Sequence, residues 1–178
     1  MNNEKYQWTK KDKWLYALSM LPFLVVFLGT IYLLSTFSVI LALILVILFL
    51  VTNLFQAGCC VGCPYQGEYC PALCGVYLGN ILSGILYKNR KFNQDFFNRN
   101  AQWGELLLVL TILFPVYWIV RTSWLLMPVY FLLLIAHFLL FMPTQCENCS
   151  YNTTCPGGKA WLVCRRRLKE IENREKSP

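Results

Sequence analysis

The chain has 178 residues, of which 57% are hydrophobic and only 14% charged, whereas a soluble domain carries about 25% charged residues. The deficit falls in long uncharged runs, which excludes an ordinary soluble domain and marks a polytopic membrane protein. The net charge of +7 would suit nucleic acid, but the basic residues cluster at the ends of the apolar runs, so membrane topology accounts for them and nucleic-acid binding is set aside.

The basic leader (Lys5, Lys10, Lys11, Lys13) precedes an apolar run longer than a signal-peptide core, with no small-x-small cleavage site, so a retained membrane helix is expected. The first span is predicted from about Trp14 to Leu34, with Pro22 kinking it through its missing N–H. Ser35 to Ser38 is read as a tight turn, and the second span runs from about Val39 to Gln56, almost entirely Ile, Leu, Val and Phe. At 1.5 Å per residue, a run of about 20 residues covers the ~30 Å hydrocarbon core.

A cysteine-rich loop over residues 58–75 follows, then a short helix over residues 71–87, with Cys70 suited to the N-cap and Pro71 to the first helical position. On a helical wheel Gly79, Asn80, Ser83 and Gly84 share one side, and Leu78, Ile81, Leu82 and Ile85 the other, as in a helix lying at the interface. Lys88 to Gln102 is polar, with Phe92, Phe96 and Phe97 expected as surface anchors. The third span is predicted from about Trp103 to Val120, a turn at Arg121 to Ser123, and the fourth span from about Trp124 to Met142, ended by Pro143. A cysteine-rich tail over residues 143–178 contains a basic helix. The expected fold is all-α: one integral membrane domain, a four-helix bundle with a cysteine-rich cytoplasmic loop and tail and short interfacial helices.

Basic residues set the orientation. In the four-span reading the N-terminal leader, the segment with Lys88, Arg90, Lys91 and Arg99, and the tail with Lys159, Arg165, Arg166, Arg167, Lys169, Arg174 and Lys176 lie on one side, and only Arg121 on the other. Both termini and both cysteine sets are therefore expected at the cytoplasmic face, in a multi-pass protein of the cell membrane whose first partner is the lipid bilayer.

Nine cysteines in a reducing compartment argue against disulfides. Thiolates gathered at short spacing repel one another, and a soft metal offsets that repulsion. The first set provides Cys60, Cys63, Cys70 and Cys74, with Cys59 as an alternative ligand; the second provides Cys146, Cys149, Cys155 and Cys164. Two tetrathiolate sites are expected. Iron–sulfur clusters, of the 4Fe-4S kind, and zinc both take four thiolates. Cys63, Cys70 and Cys155 are each followed by proline, a feature of iron–sulfur ligands, and a Cys70 thiolate at a helix N-terminus would be stabilised by the dipole. In the tail helix Trp161, Cys164, Leu168 and Ile171 form one stripe, expected to turn Cys164 toward the membrane or the bundle.

The Cys-x3-Cys-Pro motif at Cys59 to Pro64, together with four spans and cysteine motifs after spans two and four, resembles the polytopic membrane iron–sulfur proteins of the NapH and NosR type. That resemblance implies electron transfer between quinones and partner redox proteins. The second cysteine set does not repeat the family's motif. Four-span thiol oxidoreductases of the DsbB type are a poor match, because the turns at Ser35–Ser38 and Arg121–Ser123 hold no cysteine.

His137, the single histidine, is expected inside span four, where it could bond a quinone or make an interhelical hydrogen bond, the latter being the commoner use. Thr52 and Asn53 are read as structural for the same reason. The leading expectation is an iron–sulfur electron carrier; the alternatives are a membrane scaffold with two structural zinc sites and a soft-metal transporter.

Overall fold

The computed structural model describes residues 9–67, 78–146, 149 and 151–175. Among these, regular structure is helical throughout: α1 (Lys10–Phe37), α2 (Val39–Cys59), α3 (Gly79–Leu86), α4 (Gln94–Leu113), α5 (Val116–Thr122), α6 (Leu126–Phe141), a π-helical turn (Met142–Cys146) and α7 (Pro156–Glu175). Lys10–Phe37, Val39–Cys59 and Gln94–Thr122 are long and apolar enough to cross a membrane, and Leu126–Phe141 is a shorter apolar helix. The β-branched and aromatic residues of α2 would favour strands in water. In lipid every backbone polar group needs an internal partner, and a helix provides one within its own segment. Large apolar side chains point outward along these helices, among them Leu21, Val25, Leu43, Leu132 and Leu139, the surface a bilayer would cover.

Thr9 and Asp12 start α1 with a capping box: Asp12 N donates to Thr9 Oγ1 at 3.2 Å and Thr9 N to Asp12 Oδ2 at 2.8 Å. The turn expected over four residues is a single residue, Ser38, extended at φ −164°, ψ 134°, which ends α1 and caps α2 by accepting from Ile40 N. Ser123 ends α5 in a similar extended conformation, at φ −164°, ψ 126°, but α6 starts only at Leu126, without a side-chain cap; Arg121 and Thr122 belong to α5. Helix α2 continues past Gln56 to Cys59, which brings the first cysteine into the bundle. Helix α4 starts at Gln94, well before Trp103, because the Asn93 side chain accepts from Phe96 N at 3.0 Å and caps it. Pro143 does not end the fourth apolar helix; the chain winds on through the π-helical turn to Cys146.

Two prolines, Pro22 inside α1 and Pro115 between α4 and α5, lie beside two of the polar contacts between helices. Pro22 has no N–H and its ring pushes on the preceding turn, loosening the carbonyls three and four residues back. Ser19, three back, has its carbonyl oxygen 2.6 Å from His137 Nδ1. A carbonyl can only accept, so Nδ1 carries the proton. Pro115 breaks the ladder between α4 and α5, and Ile112, again three back, accepts from the Tyr130 hydroxyl at 2.8 Å. Tyr130 and His137 are seven residues apart on one face of α6, and both are buried. Helix α6 thus donates a polar hydrogen to each proline-opened site.

His137 is therefore an interhelical latch, ringed by Phe23, Phe138 and Phe141. The cavity beside it, lined by Phe23, Thr30, Thr52, Thr111, Tyr130 and His137, measures about 40 Å³, room for roughly two or three waters. Thr52 meets Thr111 at 3.3 Å between α2 and α4. His137→Leu and Tyr130→Phe are each expected to cost about 1 kcal/mol, the scale of interhelical hydrogen bonds in membranes, measurable as an earlier unfolding midpoint in mixed micelles. The double variant should lose the sum, since the two latches hold different helices.

Helix α3 has the two faces expected of it. Gly79, Asn80 and Ser83 are buried while Leu78, Ile81 and Ile85 are exposed. The small polar face packs inward on α2 and the apolar face points away, the reverse of a soluble helix. Residues 68–77, including Cys70, Pro71 and Cys74, lie outside the described residues, so the helix start expected at Cys70–Pro71 does as well. The expected surface anchors are otherwise engaged: Phe97 is 1% exposed, Phe92 stacks on Tyr151, and Phe96 lies under the Arg90 guanidinium, 3.6 Å from its ring centroid. Phe92 and Phe97 thus pack with the cysteine segments, and Phe96 with Tyr87 and Arg90.

Candidate metal centre

Helix α2 and the α6 π-helical turn end on the same side of the bundle, so the cysteine segments that follow them meet. In the first, Cys60 caps α2 and a turn closes with Cys63 N donating to Cys60 O at 3.1 Å. Gly62 makes that turn possible: its φ is +71°, and a Cβ there would meet Phe92. Gln66 holds the loop from inside, its Oε1 accepting from Gly62 N at 3.0 Å and its Nε2 donating to Ser83 O at 3.1 Å and Tyr87 O at 2.9 Å. Asn80 Nδ2 donates to Tyr65 O at 2.8 Å, and Asn53 Oδ1 accepts from Leu78 N at 2.8 Å. The loop is thus clamped to α2 and α3.

The second segment repeats the motif. Cys149 N donates to Cys146 O at 3.4 Å, closing another Cys-x2-Cys turn, and Cys155 N donates to Tyr151 O at 2.7 Å. Cys155 is the N-cap of α7: its carbonyl accepts from Lys159 N at 2.9 Å, and Pro156 takes the first helical position. This Cys-Pro helix start is not among the sequence expectations, which place one at Cys70–Pro71, outside the described residues. Tyr151 joins the two segments, its hydroxyl donating to Val61 O at 3.2 Å and its ring packing on Phe92 and Phe97.

The sulfurs follow these backbones. Cys63, Cys149 and Cys155 all pack against one buried cluster of Cys59, Phe97, Ala101 and Tyr151. Cys146 is buried on the adjoining side, against Phe141, Tyr16, Met20 and Trp161. Burial, and secondarily the nearby Cys155, push the Cys146 thiol up to about 12. Burial likewise pushes Cys149 up to about 12; the Tyr151 backbone N–H directed at its sulfur opposes this, while Cys63, Cys155 and Cys146 add to it. Burial thus keeps these thiols protonated in the metal-free protein, and a bound cation would be needed to favour their thiolates. Among the described residues, no three Cys, His, Asp or Glu side chains are already grouped to hold one ion. A thiol has one rotor, χ1, through which its sulfur can swing.

No protein-family model, curated protein or solved structure matches this chain.

Cys164 is exposed on α7, and Cys60 is buried at the end of α2. Cys70 and Cys74 lie outside the described residues. Sequence reading placed Asn80 on the small polar face of α3 but passed over Gln66 and Tyr151, which also hold the loops in place. Neither of these two belongs to a periodic pattern; the available signal was a hydrogen-bonding side chain in each cysteine-rich segment.

The thiolate is the reactive form, so in metal-free protein at pH 8 Cys164 should be alkylated first, with Cys146 and Cys149 at least tenfold slower. Their pKa values are raised from an ordinary 9.0, so the folded state disfavours losing these protons. Metal-free protein should therefore keep its full stability below about pH 9 and lose some between pH 9 and 12. Timed alkylation with mass-spectrometric mapping checks the order.

Proposed function

We propose that this is a four-helix integral membrane protein with both termini and both cysteine segments at the cytoplasmic face, and that its thiolates hold an iron–sulfur centre carrying electrons along that face. Helix α6 has 16 residues, about 24 Å at 1.5 Å per residue, and the π-helical turn extends it toward a full crossing. The charge asymmetry supports the orientation.

One observation carries the redox reading: cysteines from two segments distant in sequence meet at one end of the bundle, in a pocket of aromatic rings. A cluster bound there would supply one-electron transfer, at a potential set by burial and by hydrogen bonds to its sulfurs. The chain's part is to shield the site with Phe92, Phe97 and Tyr151, to direct the Tyr151 N–H at Cys149 Sγ, and to cap α7 with Cys155 so that the helix dipole favours its thiolate. His137 takes no part in this reading, because Ser19 already engages it. The electron partner would be a protein docking at the cytoplasmic surface.

A second reading, structural zinc, is favoured by the two Cys-x2-Cys turns, one with Gly62 at positive φ, which form the closed knuckle used by tetrathiolate zinc sites. Anaerobic purification separates the two. Brown protein containing iron and acid-labile sulfide in equal amounts supports the first; colourless protein with stoichiometric zinc overturns it in favour of the second; protein with neither metal overturns both.

A further inference from the structure

We propose that the metal site is composite: Cys63 from the segment after α2 joins Cys146, Cys149 and Cys155 from the segment after α6 around one centre. The proposal rests on the reading of the thiols as metal ligands, and it replaces two sites, each built within one loop, by a site that staples the two halves of the chain together.

Four observations point the same way. Cys63, Cys149 and Cys155 share one packing cluster, although 86 positions separate Cys63 from Cys149 in the sequence. The Tyr151 hydroxyl reaches across to Val61 O at 3.2 Å, two residues before Cys63. Phe92 touches both segments, lying against Gly62 on one side and stacking on Tyr151 at 5.4 Å between ring centroids on the other. Cys164, the fourth member of the tail set, is exposed on α7, whereas Cys63 packs against that cluster beside the buried Cys59, so Cys63 is assigned as the thiol that completes the quartet.

The ligand is a soft or borderline cation that prefers four thiolates, either a single zinc or iron ion or an iron–sulfur cluster. Closure takes rotation of cysteine side chains about χ1 on backbones already held by hydrogen bonds. Once closed, the site would tie α2 and α3 to the π-helical turn and α7. Metal release would then free the junction between the two halves before it disturbed either apolar hairpin, because metal binding contributes directly to the stability of what it bridges.

The test uses the full-length protein, reduced and solubilised in detergent, titrated anaerobically with Co²⁺, whose thiolate charge-transfer bands report the number of sulfurs bound. Cys164→Ser and the Cys70→Ser/Cys74→Ser double variant should bind Co²⁺ like the parent, and Cys63→Ser should bind at least tenfold more weakly, with the charge-transfer intensity of one fewer thiolate. Undiminished tetrathiolate binding by Cys63→Ser, or its loss in Cys164→Ser, would overturn the composite site and leave the metal-thiolate reading intact. A parent that binds no Co²⁺ overturns both. Cross-linking gives a readout independent of metal: in a variant keeping only Cys63 and Cys149, a short bifunctional thiol reagent should join the two in high yield, and failure to do so in folded protein would also overturn the proposal.

Discussion

Replacing Cys149 with serine is expected to strip the protein of its metal. Cys149 lies between the other converging cysteines: it packs against the buried cluster that Cys63 and Cys155 also pack against, and its N–H donates to Cys146 O at 3.4 Å. Serine keeps the size but substitutes a hard oxygen that stays protonated, a poor partner for iron or zinc in a sulfur site. Removing a partner that merely orients a ligand costs about 10–100-fold in affinity; removing a ligand should cost more, at least about 100-fold. Metal analysis after gel filtration would read the loss. Cys164→Ser, on the exposed α7 surface, should retain full occupancy. The contrast matters more than either value, since general unfolding would not spare one cysteine and penalise the other.

The second large effect is expected at Gly158, which carries no chemistry. It lies in the first turn of α7 against the backbone of Asn152: a Cβ there would collide with the Asn152 carbonyl oxygen and fall 2.6 Å from its Cα and 2.8 Å from its carbonyl carbon. Backbone atoms cannot rotate aside as a side-chain tip can. Gly158→Val should therefore push α7 off the segment that bears Cys149 and Cys155, at a cost of about 1–3 kcal/mol, the usual range for overpacking. If opening and reclosing are fast relative to cleavage, trypsin should cut after Arg165, Arg166 and Arg167 roughly 5–150-fold faster. Cys155, at the start of the displaced helix, should become more reactive at the same time. Gly29 is the control, because a Cβ there has nothing within 4 Å, and Gly29→Ala should change neither readout.

Proline placement suggests why α6 carries polar groups in an apolar segment. Pro22 and Pro115 each loosen a helix at a point where lipid offers no substitute hydrogen bond. Tyr130 and His137 donate to carbonyls near those prolines, so a histidine in an apolar helix here serves the backbone. The spacing of seven residues follows from two successive turns of one helix facing two neighbours.

The apolar spans were legible in the residues because span length is a local property: an uncharged run either reaches across the hydrocarbon or does not. The inward small face and outward apolar face of α3 were legible for a related reason, since helical period alone places Asn80 and Ser83 opposite Ile81 and Ile85. Helix ends were less so. Ser38 makes a whole turn by itself, and α4 begins at Asn93 because a capping side chain satisfies the helix's first free N–H groups. Phe92 and Phe97 read as surface anchors because nothing local shows that Tyr151, more than fifty positions on, packs against them.

From its order of residues alone, this chain was bound to form apolar helices joined by short serine turns, with cysteines massed after the second and fourth apolar runs. Which cysteines face one another was decided only by the packing of those helices. Composition and period act over a few turns, whereas the meeting of Cys63 with Cys149 depends on where α2 and the end of α6 come to rest, and on Tyr151 bridging the space between them.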